Sequence, residues 1–126
     1  MKPLKYRYWD EELKMFVYSD DFDYSNQLDQ LGAFFRKASI YTTIDKIQEC
    51  VGAVDKNGKD IYIGDIMSFP YRDEGQEAVG LVENDDMYIG YSVQECDKFF
   101  GSMQLTRYNT KECEIVGNVF QNKNLL

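Results

Sequence analysis

The 126-residue sequence predicts an α+β fold, mostly β, in which β-hairpins form a small, partly open barrel-like sheet with one short helix. Two patterns carry this expectation. Most of the chain breaks into short runs whose apolar residues alternate with period two and which stop at turns rich in Asp, Asn or Gly. Only one stretch places apolar residues at helical spacing.

The first run, KYRYWDEELKMFVYSDD, has Tyr6 and Tyr8 before a polar break at Asp10–Glu12 and Leu13, Met15 and Val17 after it. This reads as a β-hairpin, with Trp9 covering one end of the core just before the turn. Next, Leu28, Leu31, Phe35 and Ala38 follow Ser25, a residue suited to capping a helix, and predict a helix from about Asn26 to Lys37. Gly32 in its middle weakens it by about 1 kcal/mol relative to alanine. Strands are expected from Thr42 onward. TTIDKIQECVGAV leads to a turn at Asp55–Gly58, where Asn57 and Gly58 tolerate positive φ, and then to KDIYIGDIMSF. There Ile61 and Ile63 are expected on one face and Asp60 and Tyr62 on the other, until Gly64 forces a bulge or bend. QEAVGLVENDDMYIGYSV reads as another hairpin turning at Glu83–Asp86, QECDKFFGSMQLTRYN as strand or irregular loop, and CEIVGNVFQ as a last strand. NKNLL forms a terminal turn whose leucines dock on the core. Six or seven short strands and one helix suggest a Src-homology-3-like sheet in a single domain over residues 1–126, with 19–46 readable as a small helical insertion.

Composition narrows the chemistry. Apolar residues at 44% and aromatics at 15% are those of a folded chain. The net charge of −8 is concentrated: Asp10–Asp23 holds six acids against Lys14, and Asp73–Asp97 holds eight acids and no base. Nucleic-acid binding depends on Lys and Arg displacing counterions, so nucleic acid is a disfavoured partner. Cys50, Cys96 and Cys113 form no C-x-x-C pair and fit buried thiols in a reducing cytoplasm. MKPLKYRYWDEE lacks an apolar run of signal-peptide length and no segment approaches a membrane span, so a cytoplasmic protein without membrane contact is expected.

Candidate sites are weak. Without histidine, Ser-His-Asp and Cys-His catalysis and His-containing zinc sites are excluded. The segment from Asp21 to Gly32 begins like a calcium loop, with oxygen-bearing Asp21, Asp23, Ser25 and Asp29 at the ligand positions. Asn26 stands where glycine is needed and Gly32 where the bidentate glutamate belongs, so a helix-capping turn is the better reading. Carboxylate pairs such as Asp20–Asp21 and Asp85–Asp86 fall at expected turns, where solvation leaves no reason for divergent pKa values. Gly75, Gly80 and Gly90 lack the spacing of a phosphate loop. Tyr88 and Tyr91, which might stack on bases, lie in the acidic zone. No catalytic residue, cofactor or metal is assigned, and no enzymatic activity is expected.

Three separated segments carry a resemblance. Trp9-Asp10 closes a basic-aromatic strand; Gly52, Asp55, Gly58 and Lys59 form a Gly-x-x-Asp-x-x-Gly-Lys hairpin that runs into Gly64-Asp65-Ile66; and Gly117-Asn118 precedes a Leu125-Leu126 end. In this order they resemble the YopX family of phage and prophage proteins. Val51 and Ala53 depart from that pattern, and 19–46 and 93–111 have no counterpart in it. The resemblance implies a mostly β domain with a small barrel-like part, and a phage or prophage product acting in a bacterial cytoplasm. It carries over no catalytic residue. The structural motif is therefore Trp9, Asp10, Gly52, Asp55, Gly58, Gly64, Asp65, Gly117 and Asn118.

The expected function is a non-enzymatic accessory role through contacts with a host or phage protein, or as a homo-oligomer, using strand edges and aromatic surface. A second reading makes Asp73, Glu74, Glu77, Glu83, Asp85 and Asp86 an acidic interaction surface that mimics DNA and occupies a host nucleic-acid-binding or defence protein. A third is a nucleic-acid-binding β-barrel, held down by the charge.

Overall fold

A computed structural model describes residues 4–70, 77–84, 91–95, 102–105 and 109–125. The chain forms two antiparallel sheets and one helix, the mostly β α+β class expected, and divides into two compact units, Met1–Gly52 and Ala53–Leu126.

The first unit contains β1 (Tyr6–Asp10), β2 (Met15–Tyr18), α1 (Gln27–Tyr41) and β3 (Gln48–Val54), whose last residues belong to the second unit. The strand order is β2-β1-β3. The β1–β2 hairpin forms where the sequence places it because Asp10 closes its turn: Oδ1 accepts the backbone N–H of Glu12 and of Leu13, each at 2.9 Å. Leu13 is therefore in the turn and 66% exposed, not on the strand. Trp9 is buried and packs edge-to-face on its cross-strand partner Phe16, with ring centroids 5.0 Å apart. Arg7 is also buried; its guanidinium lies 3.9 Å from the Phe16 ring centroid and its Nε donates to Gln48 Oε1 at 2.7 Å.

The helix corrects the expectation in cap, length and face. Asn26, one residue beyond Ser25, is the cap: its side-chain oxygen accepts the Asp29 N–H at 2.8 Å while its Nδ2 donates to Asp29 Oδ2 at 3.0 Å. The helix runs four residues past Lys37, to Tyr41, because nothing from Ala38 to Tyr41 breaks it, and ends where Thr42 turns extended. Its buried residues are Ala33, Phe34 and Ala38, whereas Leu28 is 81% exposed and Phe35 37% exposed. The apolar stripe seen in the sequence is thus rotated from the one the core uses. Phe34 wins because the small Ala38 one turn later lets its ring reach Tyr8, 5.7 Å away. Thr42 does not start a strand: a 3₁₀ turn at Ile44–Lys46 intervenes before β3.

Tyr8 is fully buried in this cluster, and its hydroxyl has no hydrogen-bond partner among the described residues. Burial, then the charges of Asp10 and Tyr41, push its pKa up. Removing an unpaired buried hydroxyl sheds a desolvation penalty without losing a bond. Tyr8→Phe is expected to leave stability unchanged or raise it by up to about 1 kcal/mol, read as the urea midpoint at constant slope; a clear loss of stability would refute this.

The second unit holds β4 (Asp60–Tyr62), β5 (Asp65–Pro70), β6 (Glu77–Asn84), β7 (Tyr91–Glu95), β8 (Ser102–Gln104) and β9 (Glu114–Asn118). β4 follows the end of β3, and the other five form a sheet in the order β8-β7-β6-β5-β9 that curls into a half-barrel. Gly64 makes a turn that ends β4 rather than a bulge within one strand: its φ is 94°, its N–H donates to the Val82 carbonyl at 3.0 Å, and its carbonyl accepts the Val119 N–H at 3.0 Å. The bulge falls in β9 instead, where Val116 is the extra residue against Ile66 and Met67. Alternation also fails at the centre. Ile61 and Tyr62 are both buried, and all of Asp65–Phe69 is buried, so β5, an interior strand between β6 and β9, has both its faces covered. β6 and β7 pair antiparallel, but Glu83 pairs with Ser92 and Asn84 with Tyr91 within the strands rather than in a turn, and Asp85 and Asp86 lie outside the described residues. The ambiguous segment supplies β8, and a 3₁₀ turn at Thr110–Glu112 follows it. Leu125 is 37% exposed and Leu126 lies outside the described residues.

Candidate functional site

The motif residues of the second unit converge on the edge strand β9. Asp55 sits at the start of the turn after β3 and is 2% exposed. Its Oδ1 accepts the N–H of Asn57 at 2.9 Å and of Lys59 at 3.0 Å, and its Oδ2 accepts the N–H of Ile115 at 3.0 Å. One carboxylate therefore shapes the turn and fastens it to a strand sixty residues away. Gly58 completes the turn with φ 79°, donating to the Asp55 carbonyl at 3.0 Å. Lys56 adds a backbone bond to the Cys113 carbonyl at 2.9 Å and an ion pair with Glu114 at 3.3 Å. An edge strand normally presents open N–H groups, and the Asp55 oxygen fills one of them on β9.

The other end of β9 is closed by Asn118 and Asn122. Asn118 Oδ1 accepts the N–H groups of Phe120 and Gln121, both at 3.0 Å, and Asn122 Oδ1 accepts the Asn118 N–H at 3.1 Å. Gly117 is there because of this closure: a Cβ on it would lie 2.5 Å from Asn122 Oδ1. Gly117→Ala is expected to cost about 1–3 kcal/mol, and Asn122→Ala in the same chain is expected to recover part of that, giving a non-additive cycle in urea unfolding. Strict additivity would sink this account. Asp65 performs the same local service for the Gly64 turn, Oδ2 accepting the Tyr62 N–H at 2.8 Å. Asp60 is exposed, so the three evenly spaced aspartates do not form a shared carboxylate site.

In the first unit, Asp10 and Trp9 serve the hairpin as described, and Gly52 adopts φ 81° within β3. Of the acidic surface, Asp73, Glu74, Asp85 and Asp86 lie outside the described residues; Glu77 and Glu83 belong to β6, with Glu83 half-buried. Among the described residues no group of histidine, cysteine, aspartate or glutamate is arranged to hold a metal ion. Asp21 receives the Tyr18 N–H at 3.1 Å, and Gln27–Gly32 are already helical, which rules out the calcium-loop geometry. Cys113 is buried, donates to the Asn109 carbonyl at 3.2 Å, and has its pKa pushed up to about 11 by burial and by the charges of Glu112 and Asp55. It stays a neutral thiol, the opposite of what a nucleophile needs. No helix of the described residues is long and apolar enough to cross a membrane.

The sequence reading missed Arg7, whose place in an aromatic strand was the available signal, and Asn122, which nothing local distinguishes from other surface asparagines. Helical spacing groups Leu28 with Leu31, Phe35 and Ala38, of which only Ala38 is among the buried residues of α1.

Fold and site together define a class: a mostly β α+β protein whose shared-looking residues are turn and edge devices. The YopX protein family model matches residues 5–126, and the chain belongs to the YopX family. A crystal structure of protein EF1440 from Enterococcus faecalis is similar over 100% of this chain and 99% of that one, with a TM-score of 0.57 at 17% identity, a likeness of fold. No curated protein matches the chain.

Proposed function

We propose that this YopX protein is a non-enzymatic accessory protein of a phage or prophage, acting in the bacterial cytoplasm through contact with another protein. The observation that supports this most is the apolar surface at the end of α1: Ile40 is 74% exposed, Tyr41 55% and Ile44 84%. Single exposed apolar residues are ordinary. Three within five positions, two of them β-branched residues that gain nothing from water, are the composition of a contact patch. The motif carboxylates support the same reading, since the amides they bind leave them structural work rather than a reaction. Capture from infected host cells tests it: the wild-type chain is expected to retain a protein that Ile40→Glu/Ile44→Glu loses. An identical set of captured proteins for both would count against this surface.

The run of eight acids without a base across Asp73–Asp97 favours one second reading, an acidic mimic of DNA that occupies a host nucleic-acid-binding protein. Under it, partner binding weakens steeply with salt and on Asp85→Asn/Asp86→Asn. Contact through Ile40 and Ile44 responds to neither.

A further inference from the structure

We infer that α1 pairs with the α1 of a second copy of this chain, antiparallel about a two-fold axis, through the stripe of Leu28, Gly32 and Phe35. This stripe is distinct from Ile40, which falls on another side of the helix, and from Ile44, which lies beyond its end in the 3₁₀ turn, so the inference goes beyond the protein contact proposed above.

Three observations on α1 converge. The first is Gly32 itself. Mid-helix glycine costs about 0.5–1 kcal/mol relative to alanine, and within the described chain nothing there requires it: its φ is helical, and a Cβ would meet only the Arg36 guanidinium, at an ordinary 3.5 Å. A glycine on a helix surface lets a second helix approach closely, and the helix face is otherwise short of a reason for one. The second is what flanks it. Leu28 and Phe35 stand one turn to either side on the same face, at i, i+4 and i+7; Leu28 is 81% exposed, and Phe35, whose ring packs edge-on against Tyr6 of β1 with centroids 5.2 Å apart, keeps 37% of its surface outward. They form an apolar seam with its dip at the centre, the shape that interdigitates with itself.

The third is charge. At 100° per residue, Asp29 and Arg36 lie on the same flank of the stripe, one before Gly32 and one after it. A two-fold axis through an antiparallel pair keeps like flanks together and reverses the helix direction. With the crossing near Gly32, Asp29 of one copy then stands beside Arg36 of the second copy, and Arg36 beside its Asp29. Both ion pairs are made by one placement that also opposes the two glycines and sets each Leu28 against the Phe35 of the second copy. Arg36 already lies back over Gly32, one turn from Asp29's level. A parallel pairing sets Asp29 against Asp29 and is disfavoured.

Such a seam is small, so a reversible dimer is expected, with a dissociation constant on the order of micromolar. Sedimentation equilibrium of the full chain tests it. The wild type is expected to go from monomer to dimer over about 1–100 μM. Leu28→Glu and Gly32→Leu are expected to abolish the dimer with unchanged far-UV circular dichroism, since position 28 is exposed and leucine is a good helix former. Arg36→Glu weakens it about tenfold, because two symmetric pairs become repulsive, and adding Asp29→Arg restores most of the loss. A chain that stays monomeric throughout this range overturns the inference, as does a dimer indifferent to Leu28→Glu and Gly32→Leu. A monomer that still captures a different protein through Ile40 and Ile44 overturns the pairing alone and leaves the proposed function standing.

Discussion

Replacing Asp55 by alanine is expected to destabilise the second unit by about 3–5 kcal/mol, the range for breaking a buried charged network. The carboxylate accepts three backbone N–H groups, from Asn57, Lys59 and Ile115, within 2.9–3.0 Å, and is withdrawn from water. Alanine leaves all three without that acceptor, and hydrogen bonds to a charged group are worth about 1.5–3 kcal/mol each before non-additivity is counted. Asp55→Asn separates shape from charge. Its carbonyl still serves Asn57 and Lys59, but its amide then faces the Ile115 N–H, donor against donor, so an intermediate loss is expected. Asn57→Ala removes only an exposed bond to Glu114 at 3.3 Å and is expected to cost a few tenths of a kcal/mol. Urea unfolding of the three variants ranks them. Equal midpoints for Asp55→Ala and Asn57→Ala would mean that the latch to β9 contributes nothing.

What the sequence discloses about such a latch is its near end. Asp55, Asn57 and Gly58 announce a turn because the conformations they tolerate are local properties. The same holds for Asp10 at the first hairpin and for the helix near Asn26. Ile115 is invisible from there, since which amide a buried oxygen accepts depends on a register fixed by the packing of β5 against β9. The faces of α1 and β5 were hidden for a related reason. Periodicity finds apolar stripes, but α1 has two neighbouring ones, and the choice of Phe34 over Leu28 rests on how Ala38 and Tyr8 fit around a ring. In β5 both faces are covered, so alternation carries no information there. Leu28 thus belongs to the stripe that periodicity finds but not to the face the core uses, and its exposure is the observation from which a second copy is inferred.

Phe34→Ala is expected to be the most damaging change in the first unit, at about 3–5 kcal/mol. Phe34 is fully buried with Tyr8 and Ala38, and its ring makes edge contacts with Phe22 at 6.2 Å and with Phe35 at 5.3 Å. The core here is small: besides these three, Tyr6, Val17, Phe22 and Ile47 only partly cover it. A small core has few atoms able to move into a cavity, so the lost transfer energy and the cavity cost both remain. The helix has little independent means of support, since isolated helices of its fifteen residues are marginal in water and Gly32 weakens this one further. Loss of the Phe34 ring is therefore expected to appear as lost helical circular dichroism at a lower urea concentration. Leu28→Ala is the control that separates the two stripes. If the core runs through Phe34, Leu28→Ala shifts the midpoint by less than about 0.5 kcal/mol in dilute solution; if the leucine stripe faced the core instead, the two substitutions would exchange their effects.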